Sequence, residues 1–349
     1  MKFTLHKSTL VSISVLLFVG LTAMDIRSIN KEEIKFGPDT PLQTVLNLLG
    51  DKKPVHYLEN IDPVQVEKGK QIVFTGQTTG PNGKKSNVVS RFFTCVHCHN
   101  TVIEDPDLRK SNPETRMDFV IAQNKPLLPA TTFYGIVNRT TYYNDDYAKK
   151  YGKLVDPARD TLVNAMQLCA TECSQGRKME KWEIDAVMAY YYSIQYKLSD
   201  LKLSESEYAQ LNEMITGNTG NNSQGLAMLK AKYLQASPAT FVNYSDKAIR
   251  KYGEQGNPEN GKKIYIHSCM NCHKTVGGVT NFKLDMEKVT FRNLKRNFNK
   301  NNHFSAYYMV RKGTYAVPGY RPYMPNFSEE RLSHQQMEDL VAFINQQAK

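Results

Sequence analysis

The pentapeptide Cys95-Val96-His97-Cys98-His99 constrains this 349-residue chain more than any other stretch. Two cysteines separated by two residues and followed at once by histidine are spaced so that both thiols bond the vinyl groups of one haem while the imidazole binds its iron. The unit recurs as Cys269-Met270-Asn271-Cys272-His273, so four of the six cysteines belong to the pair. A lone C-x-x-C also serves redox dithiols and zinc sites. The histidine in both copies argues against those uses, because a shared zinc site would join pairs about 170 residues apart and leave each histidine idle. The expectation is two covalently attached haem c groups, held by Cys95 and Cys98 and by Cys269 and Cys272, with His99 and His273 as iron ligands.

The length favours two domains over one, and one haem apiece is the economical division. Hydrophobic residues make up 40% and charged residues 23% of the chain, enough for each half to build a core. The formal charge of +11 and pI near 9.2 would suit nucleic acid. No nucleic-acid-binding signature accompanies them, and haem is attached where no nucleic acid is found, so an acidic redox partner is the expected meaning.

Residues 1–24 have the grammar of export: Lys2 and Lys7 precede an apolar run from Leu10 to Leu21, too short for a confident membrane span. The sequence Leu21-Thr22-Ala23-Met24-Asp25 is a poor cleavage site, which leaves an uncleaved membrane anchor as the alternative to a signal peptide. Either way the expected location is periplasmic or otherwise outside the cytoplasm. Residues 25–61 form an N-terminal extension, with a short helix expected from Asp39 to Leu49, capped by Asp39 or Thr40 and ending at Gly50.

From Asp62 the chain begins something it later repeats. Asp62-Pro63 reads as N-cap and first helical position, with a helix running through Gly69 to Phe74; Asn257-Pro258 opens a second round through Gly261 to Ile266. The haem motif follows Gly261 after eight residues but Gly69 after twenty-six, and the surplus, roughly Gly76 to Arg91, reads as a surface loop. Each round closes on a helix with apolar residues at i, i+3, i+4 and i+7, from Lys181 and from Gln335. Ser333 and Gln336 form a capping box for the second. The fold expected is all-α: two helical domains at 62–200 and 248–349, each wrapped around a haem, joined by a helical connector at 201–247.

These features resemble a di-haem c-type cytochrome made of two class I cytochrome c domains. The second domain carries the likeness furthest, with its C-x-x-C-H, then Tyr323-Met324-Pro325-Asn326-Phe327, then a final helix. The resemblance implies that Met324 is the sixth ligand of the second iron, where a thioether raises the reduction potential. Lys274-Thr275-Val276-Gly277-Gly278 departs from the family by lacking the proline and leucine that commonly follow the histidine, which leaves open what supports His273 on its far side.

The first domain has no Met-Pro. With Ala189 aligned to Ala342, the position of Met324 falls on Thr171, flanked by Cys169 and Cys173. Cys169, seven residues before Gly176, resembles the distal cysteine ligand of the first haem in di-haem thiosulfate dehydrogenases. The alternatives are a Cys169–Cys173 disulfide, a buried thiol pair with Met166, Met179 or Met117 as the ligand, or an open iron.

The connector carries no redox motif; Ser204 with Glu207 caps one helix, Gly217 to Ser223 reads as a loop, and a second helix is expected at 224–235. Trp182 and Tyr190-Tyr191-Tyr192 are expected as a packing wall for the macrocycle rather than as electron relays. Eight basic residues from Lys283 to Lys312 suggest a cationic face that steers an acidic partner. An extracytoplasmic electron carrier is favoured, since no substrate-binding constellation is legible. An oxidoreductase of thiosulfate dehydrogenase type is the alternative, and a di-haem peroxidase a third reading for which no motif is visible.

Overall fold

The computed structural model of the protein describes residues 36–217, 222–242, 255–298, 305–313 and 324–349. The N-terminal run 1–24, most of the loop at 217–223, Tyr323 and the expected domain boundary at 248 lie outside them. Among the described residues the secondary structure is helical, with isolated bridges and no strand, so the all-α expectation holds. No described helix is long and apolar enough to cross a membrane.

The repeat is real in three dimensions. Asp62 caps the helix Pro63–Thr75 by accepting from the Val64 amide at 2.9 Å, and Asn257 caps Pro258–Ile264 by accepting from Glu259 at 2.9 Å. Proline follows each cap, at a position whose amide has no helical acceptor to lose. Each opening helix crosses a closing one, Lys181–Ser193 in the first unit and His334–Gln347 in the second. A Cβ on Gly69 would stand 1.9 Å from the Ala186 carbonyl oxygen and 2.9 Å from Tyr190 Cβ; one on Gly261 would stand 2.0 Å from the Asp339 oxygen and 2.7 Å from Phe343 Cβ. Ala186 and Asp339, like Tyr190 and Phe343, are equivalent in the alignment that pairs Ala189 with Ala342. Both crossings therefore use one register, and both need glycine because backbone touches backbone there.

Three cores result. Ile72, Val73, Val187 and Tyr191 belong to the first, and Ile264, Phe291, Leu340 and Phe343 to the second. Met117 and Leu127, from the stretch 62–200, also pack into the second core, because the helix Pro113–Ala122 leans on the second closing helix, with Gln336 Nε2 2.8 Å from the Pro113 oxygen.

The third core was not expected: Leu42, Val45 and Leu49 of the extension meet Leu211, Leu229 and Tyr233 of the connector. Tyr196 and Leu198 of the first unit join it, and the Leu42 amide donates to the Tyr196 oxygen at 2.7 Å, so extension and connector pack together against the end of the first unit. The extension's helix spans Leu42–Leu48 with Pro41 as its N-cap residue and no side-chain cap. Thr40 Oγ1 accepts from Gly37 at 2.8 Å and Asp39 pairs with Lys197 at 3.0 Å, so neither is free to cap. The connector helices are Glu205–Thr216, with the Ser204–Glu207 box, and Asn222–Lys230, which stops short of 235.

A buried ionic cluster ties the two units. The Glu104 carboxylate, 1% exposed, takes Arg116 at 3.2 Å and Arg331 at 2.8 Å, with Asn100 and the Thr132 amide at 2.8 and 3.1 Å. Arg331 also donates to the Leu128 oxygen at 3.2 Å. Burial would raise the Glu104 pKa, but the two guanidiniums outweigh it and hold the carboxyl at about 2.

Candidate haem sites

The first motif opens on a tight turn, Cys95–His97, in which the Thr94 amide donates to His97 Nδ1 at 3.0 Å. That occupies the ring of the histidine that is not in the ligand position. Cys95, Cys98 and His99 line a cavity of about 1390 Å³, a figure that includes its open mouth. Its walls are apolar, with Ile72, Val89, Leu162 and Val187 among them.

His99 Nδ1 lies 2.6 Å from the Thr131 carbonyl oxygen, and its ring stacks on Phe133 at 4.1 Å between centroids. A carbonyl only accepts, so Nδ1 carries the proton and Nε2 keeps a lone pair for metal. Burial lowers the imidazole pKa to about 4 against the pull of that carbonyl, so the ring is neutral, as a ligand must be. Burial pushes the Cys95 thiol up to about 11 and raises Cys98 further, with Cys272 the largest charge neighbour. A main-chain bond joins the units beside the second motif, from the Leu127 amide to the His267 oxygen at 2.9 Å.

Cys169 and Cys173 line the same cavity, as do Met166 and Met179. Met117 lies elsewhere, in the second core, with its sulfur 3.8 Å from Gln336 Nε2. The helix Leu162–Leu168 runs into a wider π turn, Cys169–Cys173, where the Ser174 amide reaches back five residues to the Cys169 oxygen at 2.8 Å. All six cysteines are free thiols. Tyr151 Oη stands 3.3 Å and Tyr143 Oη 3.8 Å from Cys173 Sγ. A hydrogen bond from Cys169, opposed by burial and aided by Tyr151, Tyr143 and Lys150, lowers the Cys173 pKa to about 7, while Cys169 is raised by the same bond and by burial. Sequence reasoning put weight on Cys169 alone and missed the tyrosines and Lys150, which join Cys173 only through folding. Of the three consecutive tyrosines only Tyr191 lines the cavity; Tyr190 faces Phe74, Tyr192 faces Tyr57, and Trp182 donates to Glu180 at 2.8 Å.

In the second unit Pro258–Ile264 runs through a π turn, Tyr265–Cys269, into a last helical turn, Met270–His273. His273 Nδ1 lies 2.8 Å from the Phe282 oxygen, with the Phe282 ring edge-on at 5.5 Å. Phe282 therefore does what the missing proline and leucine left open. Met324 packs with Cys269 and Met270 against the second core. Its backbone lies over Gly313, where φ is +65° and a Cβ would come 2.3 Å from the Met324 oxygen. The next residues, Pro325 and Asn326, line the first cavity. One loop thus touches both sites.

The basic stretch is divided. Arg311, 2% exposed, is buried under the Leu332 and Ser328 carbonyls, and Lys300 lies outside the described residues. Lys283, Lys288, Arg292, Lys295 and Arg296 are exposed, beside the exposed apolar side chains Phe282, Met286 and Val289.

The second unit thus combines a glycine-mediated helix crossing, a C-x-x-C-H beside it and an imidazole tied back through Nδ1. The cytochrome c family profile matches residues 258–348, so a cytochrome c domain is present there. Such a domain carries covalently bound haem c and transfers electrons through it. No curated protein and no solved structure shows a significant match to the chain.

Proposed function

We propose that the protein is a di-haem c-type cytochrome that carries electrons outside the cytoplasm between redox partners. One haem would be held by Cys95, Cys98 and His99, the other by Cys269, Cys272, His273 and Met324. Haem supplies a one-electron couple at each site; the chain supplies neutral, oriented imidazoles, apolar walls and a fixed spacing between sites. The observation that carries the reading is the single loop Met324–Asn326, whose Met324 packs on the second core while Pro325 and Asn326 line the first cavity. The exposed cations from Lys283 to Arg296, with Phe282 and Val289 among them, suit an acidic partner docking near the second site. The run 1–24 would export the chain, either cleaved as a signal peptide or retained as a membrane anchor. Intact mass after export with the haem-attachment machinery should show two haem additions that survive acid-acetone extraction. One addition would refute the di-haem reading.

A second reading, an oxidoreductase of thiosulfate dehydrogenase type, is favoured by the Cys169–Cys173 pair with Tyr143, Tyr151 and Lys150 at the first cavity. It predicts steady-state turnover of thiosulfate, lost in Cys169→Met. No turnover leaves the carrier reading standing.

A further inference from the structure

The two cysteines left over from haem attachment stand together at the first cavity, and a distal-ligand role uses only one of them. We propose that Cys169 and Cys173 form a reversible dithiol–disulfide couple, a two-electron store beside the first haem site. The proposal rests on the di-haem reading for its electron acceptors.

The backbone argument comes first. Cysteines four apart on a regular α-helix splay around the axis and sit a full turn apart, which resists a disulfide. Here the turn is widened, with Ser174 bonded back to Cys169 at 2.8 Å, and the two side chains hydrogen-bond each other. Gln175, just beyond, holds a left-handed φ of +54°, a conformation that non-glycine residues rarely keep without a reason. Gly176 follows with its α-carbon so near the Val89 carbonyl that a Cβ would stand 2.2 Å from it, so the end of the turn is anchored. The chemical environments of the sulfurs also differ. Tyr151 and Tyr143 hydroxyls point at Cys173, and the Lys150 ammonium, itself donating to Asn326 Oδ1 at 2.9 Å, lies close enough to act on it. The pair is thus surrounded unevenly, with two hydroxyls and a cation on the Cys173 side, an inequality of the kind thiol–disulfide exchange uses.

The step balances within the protein. One S–S bond forms between the two sulfurs, two S–H bonds break, and two protons leave. The two electrons need two one-electron acceptors, and ferric haems bound at the two sites would supply them, one electron each. A methionine-ligated haem at the second site would be the stronger acceptor, because a thioether raises its potential whereas protein dithiols sit low. An external dithiol returns the pair to the reduced state by exchange.

Alkylation tests this directly, since thioether formation removes the four motif thiols and leaves only Cys169 and Cys173 to react. The full-length di-haem protein is reduced with dithiothreitol, desalted without oxygen, mixed with ferricyanide or left reduced, then denatured with N-ethylmaleimide and weighed. Two adducts are expected from the reduced sample and none from the oxidised one, with both returning after dithiothreitol. Cys173→Ser and Cys173→Ala should each keep one adduct under both conditions. Two adducts at both poises in the wild type would overturn the proposal. Peptide mapping and the haem additions in the same spectra separate this from failure of the di-haem reading, in which case the extra adducts map to Cys95 and Cys98 or to Cys269 and Cys272.

Discussion

The two repeated units share a frame and differ in the segments that close in on their C-x-x-C-H motifs. Both are closed by a glycine jammed under the backbone of the last helix, Gly69 under Ala186 and Gly261 under Asp339. Both tie the imidazole through Nδ1 to a carbonyl, from Thr131 thirty-two residues after His99 and from Phe282 nine residues after His273. The other segments diverge: Met324 packs on the second core, whereas a π turn brings two cysteines to the cavity of the first motif. The first unit also borrows walls, from Pro325, Asn326 and Ser328 of the second. The difference teaches that the crossing and the carbonyl-tied histidine form a module that repeats, while the remaining wall is built from whichever segment reaches it. In the first unit that includes the neighbouring domain.

The severest test of the comparison is attachment itself. Cys95→Ala with Cys98→Ala should remove one haem from the intact mass, and Cys269→Ala with Cys272→Ala the other. If either pair removes both, the units are not independent haem carriers. The Glu104–Arg116–Arg331 cluster supplies the next largest effect. Arg331→Ala leaves a buried carboxylate short of a partner and should cost about 3–5 kcal/mol in denaturant unfolding. Because Glu104 titrates at about 2 in the fold against an ordinary 4.5, its contribution is full above that ordinary value and is lost as pH falls toward 2. The loss is on the order of 3 kcal/mol and should appear as a falling Tm over that window, flattened in Glu104→Gln. A Tm unmoved by either substitution would mean that the two units do not lean on this cluster.

Redox titration then sharpens the contrast between distal sides. Met324→Ala should lower the potential of the second haem and abolish its thioether-to-iron absorption band, leaving the first haem nearly unchanged. Where Cys169 binds the first iron instead of pairing with Cys173, Cys169→Met should raise the potential of the first haem, which in the wild type should then be the lower of the two, because a thiolate stabilises ferric iron. Paramagnetic resonance of the oxidised protein distinguishes thiolate from thioether at each site. Equal wild-type potentials, with no response to Cys169→Met, would assign the distal position to Met166, Met179 or no residue. The smallest effect concerns the surface. Lys288→Glu with Arg292→Glu should slow reduction of an acidic partner by about tenfold at low salt, converging with wild type as ionic strength rises. A rate independent of both charge and salt would remove the docking face from the second unit.

By itself the sequence determined the local chemistry. The paired motifs, the Asp62 and Asn257 caps, the Ser204 and Ser333 capping boxes and the register of Ala189 against Ala342 all follow from residues a few positions apart, and all appear in the fold. Proline and a family-like segment single out Met324 along the chain, and the fold sets it against the second core. The tertiary structure decided what depends on distant segments meeting. Extension and connector close into a third core with Tyr196 and Leu198 of the first unit, because their short helices cannot bury their apolar faces alone. Met117 leaves the first unit because its helix packs on the second closing helix. Cys173 gains Tyr143, Tyr151 and Lys150 as partners from 22 to 30 residues earlier in the chain, and the helix widens between it and Cys169, which no local periodicity announces. Spacing within a turn of helix is set by covalent geometry and can be read along the chain. The environment of a sulfur is set by which surfaces find one another, and that is a property of the folded molecule.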